Sequence, residues 1–216
     1  ELFKYQNSAW SKCTGIEFNG RPIADPENAN YFYIYNSTTG YMFVSTDKGS
    51  TFTQRGNAGT SSFKSAHCAP GRSGDIWIPL TSGGLTRSID GGVTFSALSN
   101  VTYCEAVGFG KEATGATYPT VFIYGTVSSI TGVFRSTDAG ASWSRINDDD
   151  HEYGGLANGE FVMGDANVFG RVYMSTAGRG IVYADPSGSN VAVTGVTVSP
   201  TTVSVNAGST TTLTAN

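Results

Sequence analysis

Three short segments of the chain repeat one pattern. Residues 45–52 (STDKGSTF), 88–95 (SIDGGVTF) and 136–143 (STDAGASW) all read Ser-x-Asp-x-Gly-x-(Ser/Thr)-aromatic. Their aspartates, Asp47, Asp90 and Asp138, follow one another at intervals of 43 and 48 residues. A self-similar interval in the forties, in sequence rich in strand-forming residues, is typical of the blades of a β-propeller. We call these segments the Asp boxes and predict an all-β fold.

Each repeat has room for four strands, which we label A to D from the inside of a propeller outwards. In the middle repeat, apolar segments predict the four strands at residues 63–68, 75–80, 85–88 and 93–98. In the other repeats they predict strand B at 31–35, 121–124 and 171–175, and strand C at 41–45, 133–136 and 181–184. Trp10, 42 residues before the aromatic Phe52, marks the final strand of a preceding blade.

The number of blades is too small for a closed ring. The strands make about three complete four-stranded blades with flanking strands, whereas propellers close with about 4–8 blades. An open arc would leave strand edges unpaired. We therefore expect residues 1–186 to be a C-terminal arc of a larger propeller.

The end of the chain differs in kind from the repeats. Pro, Gly, Ser and Asn concentrate near residues 187–192, which predicts a linker. Valines then alternate with polar residues over 193–216, a pattern typical of two short strands. This segment resembles the opening of a bacterial group 2 immunoglobulin-like domain, cut short before a core could form.

Composition excludes several classes of partner. The 216 residues include 28 Gly, only 14% are charged, and the net charge is −4, which argues against nucleic acid or an anionic membrane. Cys13, Cys68 and Cys104 have no metal-type spacing, so we expect buried thiols, with one disulfide and a spare thiol as the alternative. We predict no metal and no cofactor. The chain starts at Glu1, and we expect any export signal to lie upstream.

The recurring aspartates favour a structural role. Asp47, Asp90 and Asp138 are expected to accept backbone N–H groups and close Asx-type turns, while the glycine adopts positive φ and the aromatic packs in the blade. Trp77 and His67 are likewise expected to pack in the core rather than to line a ligand-binding site.

Two loops between strand D and the next strand A are the candidate binding elements. Residues 14–20 contain Phe18 and Asn19, and residues 147–158 contain Asp149, His151 and Tyr153. Carboxylates beside aromatic rings suit sugars, whose rings stack on apolar faces while acceptors take hydroxyl protons. The alternative is a solvated acidic loop. A metal site is disfavoured, because the acidic residues are contiguous rather than spaced.

The Asp boxes and several other segments together resemble the C-terminal part of the glycoside hydrolase family 74 xyloglucanases. The resemblance is carried, with gaps, by residues 63–78, 107–111 (VGFGK), 115–119 (GATYP), 145–154 (RINDDDHEYG) and 170–185 (GRVYMSTAGRGIVYAD). It implies two seven-bladed propellers facing each other across a cleft that binds a xylose-decorated β-1,4-glucan. It also implies inverting hydrolysis by two aspartates, one from each propeller.

Neither catalytic motif of that family occurs in this chain. Residues 74–78 (GDIWI) begin like the Gly-Asp-Ile-x-Gly-Phe motif but lack its second half, so Asp75 is not assigned a catalytic role. By resemblance we expect a secreted, C-terminal portion of a xyloglucan-degrading endo-β-1,4-glucanase. Its expected partners are plant cell-wall xyloglucan, or a related β-glucan, and the missing N-terminal propeller part of the same protein.

Two other functions compete with this interpretation. A non-catalytic Asp-box propeller would bind glycan or protein without turnover. Sialidases also carry Asp boxes, but residues 21–23 (Arg-Pro-Ile) reverse the order of their Arg-Ile-Pro motif, which disfavours that chemistry.

Overall fold

The computed structural model describes residues 1–62, 64–151 and 159–185, and the backbone of 198–199 and 214–215. The chain divides into two compact units, Glu1–Asp185 and Pro186–Asn216. Within the residues described, no helix is long and apolar enough to cross a bilayer.

The first unit is a series of antiparallel sheets in chain order. A leading hairpin is followed by three four-stranded sheets, blades 1 to 3, and by a three-stranded sheet, partial blade 4. The hairpin strands are β1 (Phe3–Gln6) and β2 (Ala9–Lys12). Blade 1 comprises β3 (Pro22–Ala24), β4 (Phe32–Tyr35), β5 (Tyr41–Ser45) and β6 (Thr53–Asn57). Blade 2 comprises β7 (His67–Cys68), β8 (Ile76–Pro79), β9 (Leu85–Ser88) and β10 (Ser96–Ala97). Blade 3 comprises β11 (Val101–Gly110), β12 (Thr120–Val127), β13 (Ile130–Ser136) and β14 (Ser144–Arg145). Partial blade 4 comprises β15 (Val162–Gly164), β16 (Val172–Thr176) and β17 (Gly180–Ala184).

The predicted all-β, partial-propeller fold is confirmed, with three local differences. The inner strand of blade 2, predicted at 63–68, is limited among the described residues to β7 (His67–Cys68). The chain begins with two strands rather than the single final strand expected from Trp10. Asn7 and Ser8, with φ of 53° and 61°, form the tight turn between β1 and β2 where the other repeats have a box. The outer strand β10 is also shorter than the predicted 93–98, because the amides of Val93 and Thr94 bind the Asp90 carboxylate instead of a neighbouring strand.

The three boxes share one set of hydrogen bonds. The serine hydroxyl donates to the aspartate at 2.7–2.8 Å and accepts the glycine amide at 2.8–2.9 Å. The aspartate accepts one or two amides further along the turn at 2.9–3.0 Å. The residue before the glycine and the glycine itself have positive φ in every box. The carboxylate is therefore engaged in closing the turn between strands C and D.

The core lies between successive blades. Trp143, the box aromatic of blade 3, packs in a cluster with Trp77 and Leu85 of blade 2. Phe95, the box aromatic of blade 2, packs with Tyr33 and Met42 of blade 1. Each box thus closes its own sheet and helps to cover the preceding one.

A buried carboxylate and close-packed glycines also join neighbouring blades. Asp25, after β3 of blade 1, accepts hydrogen bonds from the Tyr33 hydroxyl at 2.7 Å and from the Gly74 amide of blade 2 at 2.8 Å.

The inner strands β11 and β15 come so close that a Cβ on Gly108 would stand 2.0 Å from the carbonyl oxygen of Val162. Small residues therefore allow the inner strands to converge.

In the second unit, β18 (Val198–Ser199) pairs antiparallel with β19 (Thr214–Ala215). The predicted linker, 187–192, and the rest of the predicted tail, 193–216, lie outside the described residues.

Candidate functional site

The topology of the blades separates their loops into two sets. In a four-stranded meander, the A–B turns and the boxes lie at one end, and the B–C turns and D–A connections lie at the other. The candidate residues Phe18, Asn19, Asp149 and His151 all belong to D–A connections, so they share the second end, which we call the D–A face.

The loop that precedes blade 1 borders a polar cavity at this face. Phe18 is half-buried and packs on Phe43, with the ring centroids 4.9 Å apart. Asn19 lines a cavity of about 300 Å³ together with Arg21, Tyr35 and Lys64. The loop thus supplies hydrogen-bonding groups, while the ring of Phe18 packs against blade 1.

The structure reveals a charged cluster that the sequence analysis missed. Lys64 pairs with Glu105 and, at 3.1 Å, with Glu160, and Tyr103 donates to Glu105. The side chains of Lys64 and Glu105 are only 10% and 13% exposed, whereas that of Glu160 is 58% exposed. Burial lowers the pKa of Lys64, but its hydrogen bonds to Glu105 and Glu160 outweigh that effect, and the pKa is raised.

The position of Glu105 explains why the cluster forms. Pairing between β11 and β12 shifts register between Cys104 and Ala106, which makes Glu105 the extra residue of a bulge. Lys64 precedes β7 and Glu160 precedes β15, so the three charges come from three successive blades. The sequence signal was a single acidic residue, Glu105, within the apolar run of an inner strand.

The acidic loop after blade 3 is organised by its own residues. Asp149 pairs with Arg145 at 2.5 Å, with the Asp149 side chain 85% exposed. Asp148 accepts the His151 backbone amide at 2.8 Å and lies 2.6 Å from Nδ1 of its ring. The hydrogen bond from the His151 side chain lowers the pKa of Asp148. Tyr153, the remaining predicted residue of this loop, lies outside the described residues.

Asp75 and the boxes lie at the opposite end of the blades. Arg87 binds the Asp75 carboxylate with two nitrogens, at 2.6 and 2.8 Å, and Trp77 and Tyr118 also donate to it. Trp77 is fully buried, as predicted. In the box of blade 2, burial acts against ionisation of Asp90, but hydrogen bonds from Thr94 and its neighbours lower the pKa to about 2.

The three cysteines are free thiols; Cys13 and Cys104 are buried, as expected, and Cys68 is half-buried. Burial raises the pKa of Cys68 to about 12. Burial also lowers the pKa of His67 to about 4, so its ring is neutral at pH 7. Among the described residues, no group of three or more His, Cys, Asp or Glu side chains is placed to hold a metal ion.

Known proteins match most of the chain but only a fraction of their own length. No family model matches the chain. The xyloglucanase Xgh74A of Acetivibrio thermocellus is 40% identical over 181 residues, which is 83% of this chain and 21% of that protein. The chain therefore spans about a fifth of the length of this curated relative.

Two solved structures match the fold at substantial sequence identity. The glycoside hydrolase family 74 enzyme of Niastella koreensis superimposes with a TM-score of 0.80 and 51% identity, covering 87% of this chain and 28% of that one. The family 74 xyloglucanase of Xanthomonas campestris gives a TM-score of 0.73 and 33% identity, covering 83% and 26%. Over more than four-fifths of its length, the chain is thus homologous to part of the glycoside hydrolase family 74 xyloglucanases.

Proposed function

We propose that the chain is the C-terminal portion of a xyloglucan-degrading endo-β-1,4-glucanase, and that it forms part of the wall of the substrate cleft. The observation that carries the proposal is the match to the Niastella koreensis enzyme, at 51% identity over 87% of this chain. Since the match covers 28% of that enzyme, the rest of the same protein would complete the two seven-bladed propellers and the cleft.

The described carboxylates support a role in the wall rather than in bond cleavage. An inverting glycosidase needs one protonated and one ionised carboxyl group, about 6.5–9.5 Å apart, with room for a water molecule between them. At the D–A face, Glu105 and Glu160 instead bind the same ammonium group of Lys64. The catalytic aspartates are accordingly proposed to lie in the other parts of the protein.

The D–A face would bind xyloglucan through polar groups distributed over several blades. Asn19, Asp149 and His151 remain the proposed glycan contacts, and Phe18 and Tyr153 the proposed aromatic ones. Glu160 joins them, because its side chain is 58% exposed beside the cavity that Lys64 lines. Since xyloglucan is a cell-wall polymer too large to enter a cell, we also propose that the protein is secreted.

A matched pair of substitutions in the complete protein tests the assignment of the face. Glu160→Gln removes an exposed charge from the D–A face, whereas Glu112→Gln removes one from the A–B turn between β11 and β12 at the opposite end. Replacing a charge-assisted hydrogen bond to substrate by a neutral one should raise KM for xyloglucan roughly 2- to 10-fold in Glu160→Gln, with kcat retained. Glu112→Gln should match the parent enzyme.

Two results would count against the proposal. Equal KM values for both variants and the parent would show that Glu160 and its surroundings do not line the cleft. Xyloglucan binding without any turnover by the complete protein would favour the competing function, a non-catalytic Asp-box propeller.

A further inference from the structure

The exposed side chain of Glu160 extends from a backbone that is fixed on both sides. The Gly159 amide donates to the Ser175 carbonyl oxygen at 2.9 Å, and the Phe161 amide donates to the Ser175 hydroxyl at 3.0 Å. Gly159 has a φ of 69°, and a Cβ there would stand 2.1 Å from the ring of Tyr124. The backbone is thus held closely between blade 3 and β16, so the position of the Glu160 carboxylate depends on what its side chain contacts.

Lys64 supplies that contact. Its Nζ lies 3.1 Å from Oε2 of Glu160, and among the residues that the structure describes it is the one ion-pair partner of Glu160. The Lys64 side chain is 10% exposed, so the pair joins a buried cation to a carboxylate that reaches the solvent. An exposed lysine loses rotamer freedom when it forms such a pair, but a buried lysine has already lost that freedom on folding.

Glu105 and Tyr103 hold the ammonium of Lys64 from the other side. Glu105 pairs with Lys64 and accepts the Tyr103 hydroxyl. Burial and the hydrogen bond to Glu105 raise the pKa of Tyr103, so its hydroxyl stays protonated and donates at neutral pH. The bulge in β11 directs Glu105 out of the regular alternation of the strand. A chain of polar contacts therefore runs from inside blade 3 through Lys64 to Glu160 at the D–A face.

We propose that Lys64 is a positioning residue: its ammonium, fixed by Glu105, holds the Glu160 carboxylate in the orientation that accepts a hydroxyl group of the glucan. This inference rests on the proposed function, in which Glu160 lines the substrate cleft. The ion pair engages Oε2 of Glu160, and a carboxylate has a second oxygen that can accept the sugar hydroxyl. A carboxylate that is oriented in advance loses less conformational freedom when the glucan binds, so the affinity is higher.

A double-mutant cycle in the complete protein tests whether Lys64 acts through Glu160. Lys64→Met should raise KM for xyloglucan roughly 2- to 10-fold with kcat retained, because the ordering of Glu160 is then left to the binding step. The double variant Lys64→Met/Glu160→Gln should have the KM of Glu160→Gln within about twofold, since both changes affect the same contact. Effects that multiply in the double variant would overturn the proposal, because Lys64 would then contribute independently of Glu160.

A second variant separates positioning from a general loss of stability. Lys64→Met leaves the buried Glu105 carboxylate without its cation, which is destabilising. Lys64→Met/Glu105→Gln removes both buried charges, so its melting temperature should be closer to that of the parent while its KM stays as high as that of Lys64→Met. A parental KM in this variant would assign the effect to the unpaired Glu105 and overturn the positioning role. Lys111→Met removes an ammonium that binds the Asn167 carbonyl oxygen at the opposite end of the blades, and this control should keep the parental KM.

The single substitutions distinguish a failure of this inference from a failure of the proposed function. A raised KM in Glu160→Gln together with a parental KM in Lys64→Met would overturn the positioning role and leave Glu160 in the cleft. A parental KM in Glu160→Gln would overturn both, because Glu160 would then make no substrate contact for Lys64 to orient.

Discussion

At the scale of single residues, the boxes show how a few side chains fix a turn. In the box of blade 2, Ser88 is 1% exposed, donates to Asp90 and accepts the amide of Gly92. The hydroxyl therefore satisfies a carboxylate and a buried N–H at once. The three box aspartates remain predicted to act through such turns rather than on a substrate.

Removing the box serine should cost measurable stability. Ser88→Ala leaves the Gly92 amide without its acceptor, and we expect the free energy of unfolding to fall by about 1–3 kcal/mol. Chemical denaturation of the variant measures this loss. Ser96→Ala, exposed on β10, is the control and should stay within about 0.5 kcal/mol of the parent. A loss in Ser88→Ala no larger than in this control would contradict the structural role of the box.

The box glycines offer a pair that differs only in surroundings. Gly49 and Gly140 have φ of 80° and 88°, so an alanine at either position costs about 1–2 kcal/mol of backbone strain. A Cβ on Gly140 would also lie 2.3 Å from Leu98, whereas one on Gly49 meets nothing within 4 Å. Overpacking should therefore make Gly140→Ala less stable than Gly49→Ala by about 1–3 kcal/mol. Equal losses of stability in thermal unfolding would show that the box glycine is not closely packed against the preceding blade.

His67 should make the stability depend on pH. Its pKa is about 4 in the folded chain and about 6.5 when unfolded, so between these values only the unfolded chain takes up a proton. The free energy of unfolding should thus fall as the pH falls from about 6.5 to 4, by at most about 3 kcal/mol. His67→Gln should flatten this slope and His151→Gln, at the only other histidine, should keep it. A slope unaltered in His67→Gln would place its cause elsewhere.

At the scale of elements, buried carboxylates determine how firmly one sheet holds the next. Asp25 and Asp165 share three local contacts, since each accepts two amides of its own loop and the hydroxyl of a strand B tyrosine. Asp165 also pairs with Arg171 at 3.6 Å. Among the described residues, only Asp25 of the two also accepts hydrogen bonds from the next blade, from the Ser73 hydroxyl and the Gly74 amide. These additional bonds make Asp25 a junction between two sheets.

Replacing each aspartate by asparagine should distinguish the stability that comes from the bonds between blades from the stability that comes from the bonds within the loop. Asp25→Asn turns a donor towards the Gly74 amide, and we expect a loss of about 1–3 kcal/mol in the free energy of unfolding. Asp165→Asn keeps one oxygen for its loop amides and faces no amide of a following blade among the described residues. It also loses the charge that pairs with Arg171 at 3.6 Å, but such a pair near the surface contributes about 1 kcal/mol or less, so its loss should be smaller. Urea titrations of the two variants compare them. A larger loss in Asp165→Asn would contradict the junction.

The sequence predicted the elements better than the site, for a physical reason. Box and strand patterns are local, so strand β9 has the predicted bounds, and β8 and β16 differ by one residue at each end. The leading hairpin was missed because its turn at Asn7 and Ser8 carries no box. The charged cluster joins Lys64 to Glu105 and Glu160, 41 and 96 residues further along the chain, and only the packing of blades brings such residues together.

At the scale of the whole molecule, large apolar side chains are exposed at both ends of the described series of sheets. Trp10 and Tyr5 are 71% and 61% exposed at the leading hairpin, and Ile181 and Tyr183 are exposed at the last strand. Large apolar side chains at both ends are the surfaces that neighbouring blades cover in a closed propeller. Function is accordingly proposed to belong to the complete protein, to which this arc contributes one side of a cleft.

Xyloglucan hydrolysis, followed by the release of reducing ends, tests this account most directly. The 216-residue chain alone should release none, and the complete protein should release them readily, because the proposed catalytic pair lies outside the chain. Hydrolysis of xyloglucan by the purified 216-residue chain would contradict the account.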